Sequence, residues 1–258
     1  MIEAAKDARA ADWISRAAGE SGTFHSMVPD VFEAYARVFH PAGLCGTQVR
    51  WAEVAAANGR TMHGAAEWGQ LTGSWQVREQ AGLWDSEPAT GPAPESVSLR
   101  LARTLARHTS TPECCWFGVW EGWGTPTIMV LARPEVPAEE RERIQKARQQ
   151  EADDWNAFIT GAPTFAMPSR RMNVLTGRVD DLAEFFRRSR EAPTIWWPDD
   201  RAWCVGSDVD LMTTYVGGSA DAIEALGRDL ELETLAIPAG QAVEWDADTV
   251  NPPVAPPY

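Results

Sequence analysis

Adjacent tryptophans at Trp196 and Trp197 constrain this chain more than any other feature. Successive side chains of an extended backbone point to opposite faces, so two neighbouring indoles cannot enter the same one. They belong to Thr194–Asp210, which holds three tryptophans, five charges and one proline in seventeen residues. The expectation is that one of the two indoles is partly exposed or meets another element. Pro198 stiffens the backbone beside them. Trp196–Arg201 is therefore where a site is sought, whereas Ala202–Gly206 reads as core strand.

The 258 residues suffice for one large domain or two small ones, and hydrophobic and charged fractions of 44% and 23% are those of an ordinary globular chain. Thirteen tryptophans are the departure, and Lys6 and Lys146 are the only lysines among 23 basic residues. A net charge of −14 repels phosphate backbones and anionic membranes, and no Lys/Arg-rich face is evident in the sequence to offset it. Nucleic acid and membrane are therefore not expected as partners. Met1–Arg9 carries charges where a signal peptide needs an apolar run, and no stretch reaches the roughly 18–20 apolar residues of a spanning helix. A cytoplasmic protein is expected. Cys45, Cys114, Cys115 and Cys204 show no CxxC spacing, so no zinc, other metal or cofactor is expected. Cys204 reads as a small buried hydrophobe, and the adjacent Cys114 and Cys115 seldom bridge.

The pattern predicts an α+β protein: an N-terminal helical cluster, then a mostly antiparallel sheet with two or three helices. Residues 1–84 read as helical. Val28, Val31, Phe32, Tyr35, Val38 and Phe39 recur at three- and four-residue spacing, which predicts a helix ended by Pro41. Further helices are expected over Ala4–Ala18, Gln48–Ala57 and Met62–Leu71. Residues 85–96 form a proline- and glycine-rich connection, exposed by composition. A helix over Ser96–His108, capped by Ser96, opens the region 97–250. Strands are expected at Cys115–Trp120, Thr127–Leu131, Arg170–Thr176, Arg201–Ser207, Thr213–Val216 and Leu232–Ile237. A charged helix or insertion fills 134–154, and helices are expected near Val179–Arg188 and Ser219–Asp229. The tail 251–258 reads as extended. The two regions can stand apart or form one compact domain.

The motifs His108–Glu113, Trp116–Trp123, Pro163–Pro168, Trp196–Cys204 and Tyr215–Ser219 together resemble a family of uncharacterised actinobacterial proteins. The resemblance spans most of the chain beyond Pro29. It implies no activity and transfers no functional residue.

Several constellations carry chemistry. If a strand continues to Asp210, the Asp208 and Asp210 carboxylates point the same way, about 6–7 Å apart, and could hold a cation or divide acid and base roles; charges that merely end a strand and meet an arginine are the plainer alternative. The glycines of Tyr215–Ser219 could bring backbone N–H groups to an anion, but no Walker lysine accompanies them and Ser219 suits an N-cap. Trp116, Trp120 and Trp123 could stack a ligand at a hairpin mouth beside Glu121, or fill a core. His25, His40, His63 and His108 lack ligand spacing and read as surface or capping residues. No nucleophile motif fixes a reaction. The reading that results is a soluble binding protein whose acidic, tryptophan-rich surface engages a protein partner or small ligand through Trp120, Glu121, Trp123, Trp196, Trp197, Asp199, Asp200 and Arg201. The alternative is a hydrolase-like enzyme using Asp208 and Asp210, with or without a metal. Oligomeric state is open.

Overall fold

Runs of aromatic and β-branched residues pair wherever both backbone edges can be satisfied, and in this chain such runs come from every part of the sequence. A computed structural model describes residues 1–19, 22–80, 84–123, 137–168, 170–188 and 191–255. Its elements in chain order are β1 (Glu3–Ala4), α1 (Asp12–Ala17), β2 (Ala34–Phe39), β3 (Ala42–Leu44), β4 (Thr47–Val49), α2 (Trp51–Ala57), α3 (Trp68–Thr72), α4 (Glu95–Leu105), β5 (Cys115–Trp120), α5 (Ala138–Thr160), β6 (Thr164–Met167), β7 (Arg170–Gly177), α6 (Leu182–Arg188), β8 (Ile195–Pro198), β9 (Trp203–Ser207), β10 (Thr213–Gly218), α7 (Ala220–Gly227) and β11 (Thr234–Ile237). One large sheet runs β1-β7-β5-β8-β9-β10-β2-β11, with β6 also on β7, and its described neighbours are antiparallel. The fold is α+β, as the pattern predicts.

Both faces of the sheet are covered. Helices α4, α6 and α7 and the end of α5 pack on one face, over Phe117, Leu175, Trp196, Trp203, Val205 and Val216. The N-terminal segment, through Ala11, Ile14, Phe24, Met27 and Val28, covers the other, over Tyr35, Val174, Trp197, Cys204 and Tyr215. A smaller cluster of α2 and α3 closes the far end of β2 around Phe39, Trp51 and Trp68. No described helix is long and apolar enough to cross a membrane.

This arrangement corrects the helix expected over Val28–Phe39. Residues 34–39 are strand, hydrogen-bonded to β10 on one side and β11 on the other. Tyr35, Arg37 and Phe39 face one layer while Ala36 and Val38 face the other, and all five are buried. A strand buried on both faces loses its two-residue alternation and imitates a helical spacing. Residues 1–84 are thus not a helical unit of their own, since β1 and β2 lie in the same sheet as β7 and β10. The 85–96 connection is tied down as well: Ser86 bridges Gly43, and the Gly91 N–H donates to the Leu211 carbonyl at 2.9 Å. Helix α4 follows Pro94 without a side-chain cap, so Ser96 does not cap it, whereas the Ser219 hydroxyl does accept from the Ala222 N–H at 3.2 Å. Strand β8 has no counterpart in the sequence reading. The strand expected at Thr127–Leu131 lies outside the described residues. The tail is anchored as far as Asn251, whose Nδ2 donates to the Thr61 carbonyl at 2.9 Å.

His40 corrects another expectation, for it is wholly buried rather than at the surface. Its Nδ1 lies 2.7 Å from the Ala89 carbonyl, which can only accept, so Nδ1 carries the proton and Nε2 accepts from the Thr214 hydroxyl at 2.9 Å. Thr214 in turn accepts from the Ser207 hydroxyl at 2.8 Å. Burial, reinforced by the charge of Arg37 and opposed by the Ala89 carbonyl, pushes the His40 pKa down from 6.5 to about 4. The unfolded chain therefore takes up this proton first as pH falls, and stability present at pH 7 is lost between 6.5 and 4, by about 3 kcal/mol. In urea unfolding, the stability gap between the wild type and His40→Gln is expected to narrow by about that amount from pH 7 to pH 4. Parallel pH profiles would show that His40 carries none of the effect.

Candidate functional site

The end of β5 and the starts of β7 and β8 lie beside the loop that follows β9, and their side chains meet there. Arg170, the first residue of β7, places its Nη2 2.8 Å from each carboxylate oxygen of Asp208. Its guanidinium carbon stands 5.1 Å from the ring centroid of Trp120, the last residue of β5. The same guanidinium lines two adjoining hollows. A narrow recess of about 20 Å³, room for about one water molecule, runs between Met27, Met167, Met172 and Ile195, with Ser26, Thr194, Ser207 and Asp208 around it. An open groove of about 570 Å³ continues past Trp120, Glu121, Gly122 and Arg171. Met167 and Arg170 belong to both.

Arg170 is held on two sides, by its carboxylate and by the indole face, and its Nη1 is buried with no hydrogen-bond partner among the described residues. A buried donor left unpaired costs about 1–3 kcal/mol, so a cationic fork with one free prong is chemistry in want of an acceptor. The surrounding thioethers and Ile195 make the recess apolar and deformable. At the groove mouth the Arg171 Nε donates to Glu121 at 3.2 Å, an exposed pair of little energetic weight.

The residues singled out by sequence fall in three places. Trp120 and Glu121 line the groove. Trp123 ends the short turn Glu121–Trp123, and its side chain lies outside the described set. Of the two outcomes expected for Trp196 and Trp197, exposure of one indole or contact with another element, the structure shows the second: they are 2% and 1% accessible, one under the helices and the other under the N-terminal segment, so neither is a binding residue at the surface. Trp196 meets Trp203 edge-on at 5.2 Å, and Trp197 meets Trp13 and Phe165 at 6.2 and 6.0 Å. Neither offers a surface to a partner.

Asp199, Asp200 and Arg201 form the turn between β8 and β9, at the opposite end of β8 from Trp120, some 15–20 Å away at about 3.3 Å per residue. Asp199 accepts from Trp116 Nε1 at 3.0 Å. Asp200 accepts from the Ser110 N–H and hydroxyl and from Thr109, each at 2.7 Å. Burial alone would raise the Asp200 pKa, but these donors outweigh it and hold the carboxyl below its usual range. Arg201 takes φ 58°, the left-handed conformation that closes the turn, and lies over the Trp13 ring at 5.6 Å. The turn is satisfied internally.

Asp208 and Asp210 do not form the expected parallel pair. Strand β9 stops at Ser207, Asp208 is taken by Arg170, and the Asp210 N–H donates back to Asp208 at 3.1 Å. No cluster of metal-ligating side chains occurs among the described residues. Sequence reasoning missed Arg170, whose only local signal is a basic pair at a strand start. It also missed a cationic surface: Arg100, Arg103, Arg107, His108 and Arg228 line one concavity, contrary to the expectation that no Lys/Arg-rich face exists. No family model, curated protein or solved structure matches the chain.

Proposed function

We propose that the protein is a binding module whose site is the cleft at Arg170, receiving a small ligand or a partner's side chain that carries a carboxylate beside an apolar group. The observation that carries this reading is the buried Nη1 of Arg170, without a hydrogen-bond partner among the described residues, at the junction of an apolar recess and an open groove. Arginine is suited to the task because its planar fork can bind Asp208 with one edge and a ligand carboxylate with another. Trp120 supplies a flat contact and fixes the fork by cation–π attraction. In this role Asp208 positions a cation, and Asp208 and Asp210 are not set as a facing pair of carboxylates, which supports binding over the hydrolase reading.

Hexanoate and N-acetyl-leucine are suitable probes. At tenfold excess over the dissociation constant, either is expected to raise the melting midpoint by about 3–6 °C. Arg170→Lys keeps the ion pair but loses the fork, and is expected to weaken binding about tenfold or more. An identical response from the wild type and Arg170→Lys would sink the reading, as would no response to either probe.

A further inference from the structure

We propose that the concavity between α4 and α7 is a second binding site, for a small diphosphate-type anion. Arg100, Arg103 and Arg107 recur at i, i+3 and i+7, so they form one stripe along α4 and the turn after it. Arg228 faces them from the end of α7, His108 closes the row, and together they line a hollow of about 360 Å³. Four guanidiniums and a single carboxylate, Asp229, meet in this lining.

Asp229 is committed to the floor of the hollow. It accepts from Arg100 Nε at 2.5 Å and from the Thr104 hydroxyl at 3.1 Å, which fixes one fork in place. Arg100 also reaches Glu231 at 3.0 Å, and Arg228 pairs with Glu224. Arg103 and Arg107 are exposed and have no ion pair among the described residues. Cations near a helix C-terminus do complement the helix dipole, but that effect fades within the last turn and Arg100 lies beyond it. Convergence of four arginines in one hollow, on a chain of net charge −14, exceeds what two helix ends require.

The chemistry of the lining selects the ligand. Guanidinium forks match phosphate oxygens in pairs, and exposed forks one turn apart can grip two linked phosphates where a single phosphate engages one. A small anion fits within the local positive field. A nucleic-acid strand would extend past it onto the acidic remainder of the surface, where the long-range field repels it. The ligand class is therefore a pyrophosphate group, either free or at the end of a nucleoside diphosphate.

Calorimetry on the full chain at matched ionic strength tests this with inorganic pyrophosphate, orthophosphate, ADP and a single-stranded oligonucleotide. Pyrophosphate is expected to bind about tenfold or more tightly than orthophosphate. The Arg103→Gln/Arg107→Gln double variant is expected to lose about tenfold or more of that affinity, while Arg143→Gln on α5 and Arg170→Lys keep it. Both exposed glutamines leave stability nearly unchanged, so loss of binding is not loss of fold. Equal affinity for ADP and pyrophosphate identifies the free anion as the source, and tighter ADP binding identifies a nucleotide. No binding of millimolar pyrophosphate, an undiminished response in the double variant, or tighter binding of the oligonucleotide overturns the proposal.

Discussion

Arg37→Met is expected to lower the unfolding free energy by about 3–5 kcal/mol, the range for removing one partner of a buried ion pair. Arg37 is 1% accessible, and its Nη2 lies 2.8 Å from Glu67, itself buried. The rest of the guanidinium is fully used: Nε donates to Thr213, Nη1 donates to the carbonyls of Gly64 and Ala66, and the Phe39, Tyr215 and Trp51 rings surround it at 5.0–6.0 Å. Glu67 has no comparable support. Its pKa is raised by burial even with Arg37 beside it, and the Asp248 carboxylate adds to the repulsion.

Losing the arginine therefore strands a carboxylate, whereas losing the glutamate leaves a cation among carbonyls. Glu67→Gln is expected to cost less, about 1–3 kcal/mol, and Arg37→Met/Glu67→Leu to recover part of the single-variant loss. Urea unfolding of the three variants measures this. A cost below about 1 kcal/mol for Arg37→Met would refute the account.

Trp196→Ala and Trp197→Ala are each expected to cost about 3–5 kcal/mol, since each empties a space the size of an indole in a layer that cannot collapse onto it. A binding surface would behave differently: an exposed tryptophan loses affinity on truncation with little change in stability. Trp120→Ala is the internal contrast, for it should weaken carboxylate binding more than it lowers the melting midpoint. Near-wild-type stability for either core variant would mean that its indole lies at the surface after all.

What the sequence disclosed was local. Strands β5, β7, β9, β10 and β11 and helices α4, α6 and α7 announce themselves through a period, a turn or a cap within a dozen residues. Strand β2 did not, because burial on both faces erased its alternation, and β8 did not, because two indoles side by side look like a surface until the second covering layer is known. The same reason governs the site. Trp120, Glu121 and Asp208 drew notice as individual residues, but Arg170 joins them only because β7 and the end of β9 converge across two intervening strands. His40 lacked a ligand pattern since its partners, Ala89 and Thr214, are supplied by the fold.

The place of β2 in the sheet also sets a schedule for synthesis. Its neighbours β10 and β11 leave the ribosome roughly 180 and 200 residues later, a delay on the order of 10–40 s at ordinary translation rates. Through that interval Ala34–Phe39 has no hydrogen-bonding strand on either edge, and its Ala36 and Val38 face lacks the helices that cover it in the finished fold; contacts of such sequence separation close slowly even in the finished chain. The nascent N-terminal third is consequently expected to need protection until β10 emerges, and severing the chain within residues 85–96 is expected to yield two aggregation-prone fragments instead of two domains.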